Sequence, residues 1–332
     1  MKAVTIRAFG PLESARIEDI PDPVPASGEV VIDVVAAETN YPDLLVIEGK
    51  YQFKPPFPFS PGKAAAGRVA AIGPEVRGLS VGNRVLAQVE CGAYAEKMKA
   101  RAENCVKLPD QLEFVKAAAL GLAYQTAYFA LRVNANLRPG DVVLVLGATG
   151  GIGVASIQLA KALGAGIVIG GTRGTANAEV AKAAGADDVV DLSMPNLRDS
   201  LRDAVLRISG GHGADIVIDP VGGEANAAAL RTLAWRGRMV IVGFTSGEIP
   251  VIKVNYLLLK NITVSGLQWS DYRVRAPELA AKAQEEIFAL YAAGKINPYI
   301  SRRLPLTQFK EALIALRNGG AKGKIILDVR PA

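Results

Sequence analysis

The chain has 332 residues, of which 50% are hydrophobic and 21% charged, and its formal net charge is +6 at pH 7. This length and composition fit two ordinary globular domains or one large one with a sizeable core. Runs of 18 apolar residues are absent, which excludes a conventional transmembrane helix, and the opening MKAVTIRAFG lacks the apolar centre of a signal peptide. We therefore expect a cytoplasmic protein. The positive charge forms no Lys/Arg-rich tract, so nucleic acid is a weak candidate partner.

Residue types that bind metals or form disulfides are scarce. There are two cysteines, Cys91 and Cys105, and one histidine, His212. Two cysteines cannot make a disulfide framework for so long a chain, and zinc usually takes three or four Cys, His or carboxylate ligands. We expect no bound metal. His212 stands in GGHGAD, which favours a surface turn.

Short strand patterns fill the first hundred residues. Strands are predicted at VVIDVVAAE (30–38), AAAGRVAAIG (64–73) and NRVLAQVE (83–90), with Pro- and Gly-rich turns between them. From about residue 112 the pattern changes, and the alanine-rich EFVKAAALGLAYQTAYFAL (113–131) predicts helical structure. The chain therefore begins with an irregular β-rich region that leads into a helix.

Apolar strand patterns and helical patterns then alternate. Strands are predicted at 142–147, 167–171, 187–192, 214–223 and 238–244, with helical segments between them. A continuous apolar strand such as VVLVLG is typical of a parallel sheet that is buried on both faces. The alternation predicts a doubly wound α/β domain. Beyond it we expect the following elements to return to the first domain: a strand-like NITVSGLQW (261–269), helices at 277–293 and 307–317, and a strand at 324–329.

Three glycines mark the junction between the first of these strands and its helix. Gly147, Gly150 and Gly153 are three residues apart. The N-terminus of a helix favours a bound pyrophosphate, and glycine lets the backbone come close to it. We predict a dinucleotide site whose turn includes Thr149, Gly150, Gly151 and Ile152. The alternative is a glycine-rich turn without a ligand.

The end of the second strand bears on which dinucleotide is bound. Enzymes that use NAD usually place an acid about 20 residues after the glycines, on the ribose hydroxyl. Here the strand ends in IVIGGTRG, with Thr172 and Arg173 in that place. A guanidinium can bind a 2′-phosphate through charge-assisted hydrogen bonds, so we predict NADPH. The alternative is that Arg173 belongs to an ordinary solvated loop.

Tyr256 and Lys260 form a Y-x-x-x-K pattern, which is the catalytic pair of short-chain dehydrogenases. That family also has a glycine motif near its N-terminus, whereas the T-G-G-I-G of this chain is two residues too short and follows an entire domain. We therefore expect NYLLLK (255–260) to be a packed apolar segment.

The whole arrangement resembles the medium-chain dehydrogenase/reductase superfamily, and within it the zinc-less quinone oxidoreductase branch that includes zeta-crystallin. The segments that carry the resemblance are NYPDLLVIEGKY (40–51), FSPGKAAAGRVAAIG (59–73), AALGLAYQTAYFAL (118–131), GATGGIGVASIQLAKALGA (147–165) and GADIVIDPVGG (213–223). The resemblance implies an α/β fold that joins a GroES-like β-rich catalytic domain (1–118) to a Rossmann domain (119–260). Residues 261–332 would supply a dimer strand and return to the catalytic domain.

The resemblance also bears on zinc. Zinc-dependent members carry Cys and His ligands where this chain has Asn40 and PGKAA (61–65), and they carry a four-cysteine lobe where this chain has only Cys105. Metal-assisted alcohol oxidation is therefore not expected. The chain also departs from its own branch, because Ala64 beside Lys63 stands where an acid is often found.

A second departure concerns the loop that selects the cofactor. The lysine that the branch often carries there is absent, with Asn177 nearby. This absence puts more weight on Arg173 as the residue that recognises NADPH.

Three residues match positions that line the family's substrate cleft, namely Asn40, Tyr41 and Tyr51. The resemblance implies that Tyr51 or Tyr41 donates a hydrogen bond to the developing oxyanion and that Asn40 positions the ring or the cofactor. Structural roles are the alternative for all three. Further cofactor contacts are implied for Thr126, Val221, Gly243, Phe244 and Lys324. Asp219 is expected to be a structural anchor.

The implied activity is an NADPH-dependent quinone oxidoreductase that needs no metal, because a quinone is already electrophilic. An alkenal or enoyl-thioester double-bond reductase is an alternative, for which Lys54, Lys63 and Arg68 would supply a basic groove. A non-catalytic NADPH-binding sensor or crystallin-like protein is an alternative of another class. NITVSGLQW resembles the edge strand through which family dimers join, so a homodimer is expected.

Overall fold

The computed structural model describes residues 1–330 apart from the side chain of Thr175. The chain forms two compact units. The first comprises Met1–Ala123, Ser270–Ala292 and the residues from Ile300 onward, and the second comprises Tyr124–Trp269 and Ala293–Tyr299. The predicted domain boundaries after residues 118 and 260 stay a prediction.

Fifteen strands and eleven α-helices are formed within the described residues. The strands are β1 (Lys2–Thr5), β2 (Arg16–Asp19), β3 (Glu29–Glu38), β4 (Ala64–Ile72), β5 (Arg84–Gln88), β6 (Lys97–Arg101), β7 (Cys105–Lys107), β8 (Val142–Leu146), β9 (Ile167–Thr172), β10 (Asp188–Asp191), β11 (Ala214–Asp219), β12 (Leu233–Ile241), β13 (Thr263–Gly266), β14 (Ile300–Pro305) and β15 (Lys324–Asp328). The helices are α1 (Tyr41–Ile47), α2 (Phe114–Ala119), α3 (Leu122–Tyr128), α4 (Gly151–Ala162), α5 (Ala178–Ala183), α6 (Leu197–Ile208), α7 (Gly223–Thr232), α8 (Asn255–Lys260), α9 (Ser270–Arg275), α10 (Pro277–Ala292) and α11 (Phe309–Arg317). Over residues 1–330, no helix has the length and apolar character that a membrane crossing requires.

The first unit is built on a seven-stranded sheet. Its strand order is β14-β15-β3-β4-β5-β7, and β6 also pairs with β3. Val30, Ile32 and Val34 alternate along β3 and are fully buried, as expected for side chains on one face of a strand. β15 pairs antiparallel with β3, with Ile326 opposite Glu38. The last strand of the chain therefore lies beside the strand that leads into α1.

The second unit is a parallel six-stranded sheet in the order β10-β9-β8-β11-β12-β13. Numbered within the unit, this is the order 3-2-1-4-5-6 of a doubly wound Rossmann sheet. All five residues of β8 are buried, as its continuous apolar sequence predicts. The predicted fold class is confirmed. In such sheets ligands bind at the carboxyl ends of the strands where the order reverses, which here is between β8 and β11.

The helical segment predicted at 113–131 forms two helices, α2 and α3, with a break at Gly121. The N–H of Leu122 donates to Glu38 Oε1 at 2.6 Å. A Cβ on residue 121 would lie 2.8 Å from the same oxygen, so the break needs glycine. Glu38 is fully buried, and it takes its hydrogen bond from the interrupted helix. After α3 the backbone continues as a π-helix at Phe129–Asn134.

Three predicted strands end earlier than their sequence patterns suggest. β11 stops at Asp219, β12 stops at Ile241, and β13 spans only Thr263–Gly266. After β12 the backbone turns toward β11, because the N–H of Val242 donates to the Asp219 carbonyl at 2.8 Å. β12 also begins earlier than predicted, since Leu233 already pairs with Ala214 of β11.

Candidate functional site

The glycine turn after β8 has the geometry that an anion site needs. Gly147 has φ +61°, and a Cβ on Gly153 would lie 2.2 Å from the Gly147 carbonyl oxygen, so both positions require glycine. Gly150 is the N-cap of α4, and a Cβ there would meet only the Gly147 oxygen, at 3.6 Å. The space beside Gly150 is therefore open. The first N–H groups of α4 have no partner within the helix and favour a bound anion.

The other predicted residues of this turn surround the same helix end. Thr149 lies in the turn, and Gly151 and Ile152 begin α4, all three half-buried. Their predicted cofactor contacts stay predictions.

Asp219 organises the turn after β11. Its fully buried carboxylate accepts hydrogen bonds from the N–H groups of Val221 at 2.7 Å and Gly222 at 2.9 Å. Its other oxygen accepts from the Asn226 amide at 2.6 Å. Asp219 therefore has the anchoring role expected of it. The turn places the Val221 Cγ2 atom 3.1 Å from where a Cβ on Gly147 would stand.

The loop after β12 packs over this turn. The N–H of Ser246 donates to the Val221 carbonyl at 3.0 Å, and a Cβ on Gly222 would lie 3.1 Å from the Phe244 ring. Gly243 precedes Phe244, whose side chain is partly exposed. Three separate parts of the chain thus lie together where the strand order reverses, namely the glycine turn, Val221 and Phe244.

At the end of β9 a small polar network shapes the loop that contains Arg173. The Thr172 hydroxyl donates to the Gly174 carbonyl at 3.0 Å, and the Gly174 N–H donates to Asp191 at 2.8 Å. Hydrogen bonds from Ser193, and then from Gly174, hold the pKa of the Asp191 carboxyl below its usual value. Arg173 is exposed, and no described residue bonds its guanidinium. The loop therefore leaves this cation available to a ligand.

Thr126 is buried on α3 in the same unit. Its predicted contact with the cofactor stays a prediction.

In the first unit, Asn40 lies at the start of α1 and is buried. Its backbone N–H donates to Asp43 Oδ2 at 2.8 Å, and its side-chain Oδ1 accepts from Lys324 Nζ at 2.6 Å. The Nδ2 atom is buried and has no hydrogen-bond partner among residues 1–330. A buried donor without a partner is costly and rare in native structures, so this one needs an explanation. An oxygen of a bound ligand would provide it.

Lys324 holds the Asn40 amide in place. Its ammonium lies 2.6 Å from Glu38 Oε2, 2.9 Å from the Thr39 carbonyl oxygen and 2.6 Å from Asn40 Oδ1. Because the amide oxygen faces this cation, the amide nitrogen faces away from it. The structure thus gives Lys324 a positioning role, while its predicted contact with the cofactor stays a prediction.

Asp43 and Tyr94 form a buried pair beneath Asn40. The Tyr94 hydroxyl donates to Asp43 Oδ2 at 2.7 Å. Burial raises the pKa of Asp43 to about 6, although the Tyr94 hydrogen bond, the Lys63 charge and the Asn40 N–H all favour the carboxylate. Burial is the main cause that raises the pKa of Tyr94 well above its usual value, and the nearby Asp43 carboxylate is the second cause.

Tyr41 and Tyr51 are both half-buried and pack against the core of the first unit. Tyr41 is the first residue of α1 and precedes Pro42. The ring of Tyr51 lies 4.4 Å from Lys63 Nζ, measured to the ring centroid. Lys63 itself is buried and forms an ion pair with Glu90 at 2.8 Å. The suggestion that Lys63 contributes to an exposed basic groove is therefore wrong.

Sequence reasoning missed several charged residues of this cluster, namely Glu38, Asp43, Glu90 and Arg273. A signal was available, because Glu38 and Glu90 each follow an apolar run, and a buried charge requires a partner. The partners themselves could not be inferred, since Arg273 is 183 residues away from Glu90 in sequence.

The other candidate residues have structural roles. Lys260 donates to the carbonyls of Arg231 and Leu233 at 3.0 and 2.8 Å, which is a structural role and not that of a short-chain-type catalytic pair. Tyr256 packs as expected, but Leu258 is 78% exposed, so the expectation of a packed segment is only partly right. His212 is exposed in its turn and contacts Asp215 at 2.9 Å.

The described part of the chain offers little support for a nucleophilic cysteine or for a metal site. Burial raises the pKa of Cys91 to about 11 and that of Cys105 to about 12, so the nucleophilic thiolate is scarce. No group of three or more His, Cys, Asp or Glu side chains within residues 1–330 is arranged to hold a metal ion.

Both halves of the sequence match known protein families. Residues 26–110 match the family described as the alcohol dehydrogenase GroES-like domain, and residues 151–285 match the family described as zinc-binding dehydrogenase. The quinone oxidoreductase-like protein 2 homolog of Nematostella vectensis is 35% identical over 306 residues, which cover 92% of this chain and 82% of that protein. Human quinone oxidoreductase is 32% identical over 331 residues, which cover 98% of this chain and 97% of that protein.

A solved structure agrees with these sequence matches. The structure of Escherichia coli quinone oxidoreductase complexed with NADPH superposes with a TM-score of 0.91 at 28% identity, covering 99% of this chain and all of that one (100%).

Proposed function

This chain belongs to the medium-chain dehydrogenase/reductase superfamily of oxidoreductases, in the quinone oxidoreductase branch, and we propose that it is an NADPH-dependent quinone reductase that uses no metal. The observation that carries the proposal is the buried Asn40 Nδ2 atom, a hydrogen-bond donor without a partner. The cluster around it can donate hydrogen bonds to the carbonyl oxygen of an acceptor, whereas the described residues form no group arranged to hold a metal ion. A quinone is electrophilic enough to need only orientation and such donors.

The residues of the second unit fit NADPH. The open turn at Gly150–Ile152 suits the pyrophosphate, and the unbonded Arg173 suits the 2′-phosphate. Val221 and Phe244 would stand near the nicotinamide, with Thr126 and Gly243 as further contacts. When bound, NADPH supplies the hydride.

The residues of the first unit would act on the acceptor. A quinone that accepts a hydride becomes a hydroquinone anion, and a proton from solvent then completes the hydroquinone. Negative charge grows on an acceptor oxygen as the hydride adds, and Tyr51 or Tyr41 can donate a hydrogen bond to that oxygen. Asn40, whose amide is held by Lys324, would orient the acceptor or the cofactor.

Reduction of alkenal or enoyl-thioester double bonds would use the same hydride. That alternative gains less from the structure, because Lys63 lies in the interior instead of in a basic groove. A non-catalytic NADPH-binding protein would need only the cofactor site, so turnover distinguishes it from a reductase.

Initial rates of NADPH oxidation against a panel of quinones, enals and enoyl-thioesters, with NADH in parallel, test the proposal. We expect turnover on quinones with NADPH. Turnover on enals or thioesters alone would move the function to double-bond reduction, and NADPH binding without turnover on any acceptor would favour the sensor.

Replacing Arg173 by alanine should raise the dissociation constant for NADPH by about 10- to 100-fold, because a charge-assisted contact to the 2′-phosphate is lost. The affinity for NADH should change little, since NADH lacks that phosphate. Fluorescence titration of both cofactors measures the two constants. Arg198→Ala, which removes another exposed arginine of the second unit, is the control. Equal losses for both cofactors would contradict the assignment.

We further propose that the protein forms a homodimer through β13. This strand is an edge of the six-stranded sheet, and unpaired edges invite pairing with another strand. Large apolar side chains nearby in sequence are exposed, among them Ile249, Val251, Leu258 and Leu259. Sedimentation equilibrium should give twice the mass of the chain, and the mass of a single chain would contradict the proposal.

A further inference from the structure

A buried ion cluster in the first unit joins two cations to one carboxylate. Glu90 lies between two cations: one carboxylate oxygen is 2.8 Å from Lys63 Nζ, and the other contacts the guanidinium of Arg273. The side chains of Lys63 and Arg273 are only 3% and 6% exposed. Two buried cations therefore share the Glu90 carboxylate, and the Lys63 charge also acts on the buried carboxyl of Asp43.

The ammonium of Lys63 also faces the ring of Tyr51. Lys63 Nζ lies 4.4 Å from the centroid of the Tyr51 ring, within the range of a cation–π interaction. Burial lowers the pKa of the Arg273 guanidinium, whereas the charge of Glu90, and negative charge on the Tyr51 oxygen if it develops, would raise it. Both cations would therefore stabilise negative charge that develops on the Tyr51 oxygen.

Arg273 keeps a cation on Glu90 whether or not Lys63 is present, and its other terminal nitrogen donates to the Gln88 carbonyl at 3.1 Å. A buried ammonium over the ring of a phenol is placed to stabilise negative charge that develops on that phenol.

We propose that Lys63 is a positioning residue that acts through Tyr51, and that it supplies the electrostatic assistance that a metal would give to a carbonyl acceptor. This inference rests on the proposed function. As the hydride adds to the acceptor, negative charge grows on the acceptor oxygen and polarises the Tyr51 hydroxyl that donates to it. The two cations stabilise that charge, and Lys63 itself neither gains nor loses a proton.

The test compares Lys63→Met, Lys63→Arg, Tyr51→Phe and the Lys63→Met/Tyr51→Phe double variant. Each is assayed on a series of quinones and a series of enones, ordered by their reduction potentials. Lys63→Met should lower kcat on the least electrophilic acceptors by about 10- to 100-fold and on the most electrophilic by less than about threefold. Lys63→Arg, which keeps the charge, should restore most of the loss.

The double variant decides whether Lys63 acts through Tyr51. If it does, Lys63→Met should cost little further activity once the Tyr51 hydroxyl is gone, so the two losses should not add. Lys99→Met is the matched control, because Lys99 forms an exposed ion pair with Glu29 in the same unit. It should leave the rates and their dependence on the acceptor unchanged.

A binding measurement without turnover provides an independent readout. 4-Nitrophenol mimics the aromatic oxyanion, and its absorbance distinguishes phenolate from phenol. The wild-type protein should bind it largely as the phenolate, and Lys63→Met should shift the bound probe toward the neutral phenol.

The outcomes separate this inference from the proposed function. Losses of equal size on all acceptors, additive losses in the double variant, or a bound probe that does not change would each overturn the role of Lys63. Turnover on enones alone, with the expected coupling between Lys63 and Tyr51, would overturn quinone reduction and support the inference. Absence of turnover on both series would overturn both.

Discussion

Replacing Lys324 by methionine should lower the free energy of unfolding by about 3–5 kcal/mol, because it leaves the buried carboxylate of Glu38 without a counter-ion. Glu38 is fully buried, and its Oε2 atom lies 2.6 Å from the Lys324 ammonium. Its other oxygen accepts a hydrogen bond from the Leu122 N–H. Urea unfolding followed by far-ultraviolet circular dichroism measures the change. Tryptophan fluorescence is less suitable, because Trp235 and Trp269 both lie in the second unit.

Two variants test the cause of this loss. Glu38→Gln combined with Lys324→Met removes both charges, so it should be more stable than Lys324→Met alone. Lys161→Met breaks the exposed ion pair with Asp187, which should cost less than about 1 kcal/mol. A loss for Lys324→Met no larger than that of Lys161→Met would show that Glu38 does not depend on Lys324 for its charge balance.

The Rossmann unit could be predicted from the sequence because its signals are local. The apolar run at Val142–Leu146 and the glycines that follow it specify a buried strand, a tight turn and a helix within a short stretch of chain. Parallel strands connected by helices in succession leave few possible strand orders. The position of the cofactor turn therefore follows from the pattern alone.

The cluster around Asn40 could not be predicted in the same way, because its contacts are long-range. Lys324 and Asn40 are 284 residues apart in sequence, and β15 brings them together by pairing with β3. The break at Gly121 has the same origin, since Glu38 captures the N–H of Leu122 from 84 residues away. Local helix propensity across 113–131 carries no information about a distant buried carboxylate.

The same limit explains why the sequence suggests a surface groove for Lys63. A lysine is rarely buried without a partner, and nothing within the PGKAA segment shows that Glu90 would provide one. The acid that the branch often carries beside it is Ala64 here. In this chain the negative charge therefore comes from Glu90, on the segment that follows β5, and it serves two cations.

Asp43 should make the stability of the wild-type protein depend on pH in a way that Asp43→Asn does not. Its pKa is raised from an ordinary value of 3.8 to about 6, chiefly by burial, so the folded state binds this proton more tightly than the unfolded state. The stability that the proton provides is therefore full below the ordinary value and is lost as pH rises through about 6. Relative to the variant, the wild-type free energy of unfolding should fall by about 2–3 kcal/mol between about pH 4 and about pH 7.

The asparagine variant isolates this effect because its amide oxygen can still accept from Tyr94 and from the Asn40 N–H, the two donors that Asp43 now serves. Urea unfolding of both proteins at matched pH values gives the difference directly. Asp22→Asn is a control of opposite sign, because the ammonium of Lys97 and the N-terminus lower the pKa of Asp22. There the wild-type protein should gain stability relative to its variant as pH rises. A constant difference between wild type and Asp43→Asn would mean that Asp43 titrates near its ordinary value, and that burial is fully offset by Tyr94, Lys63 and Asn40.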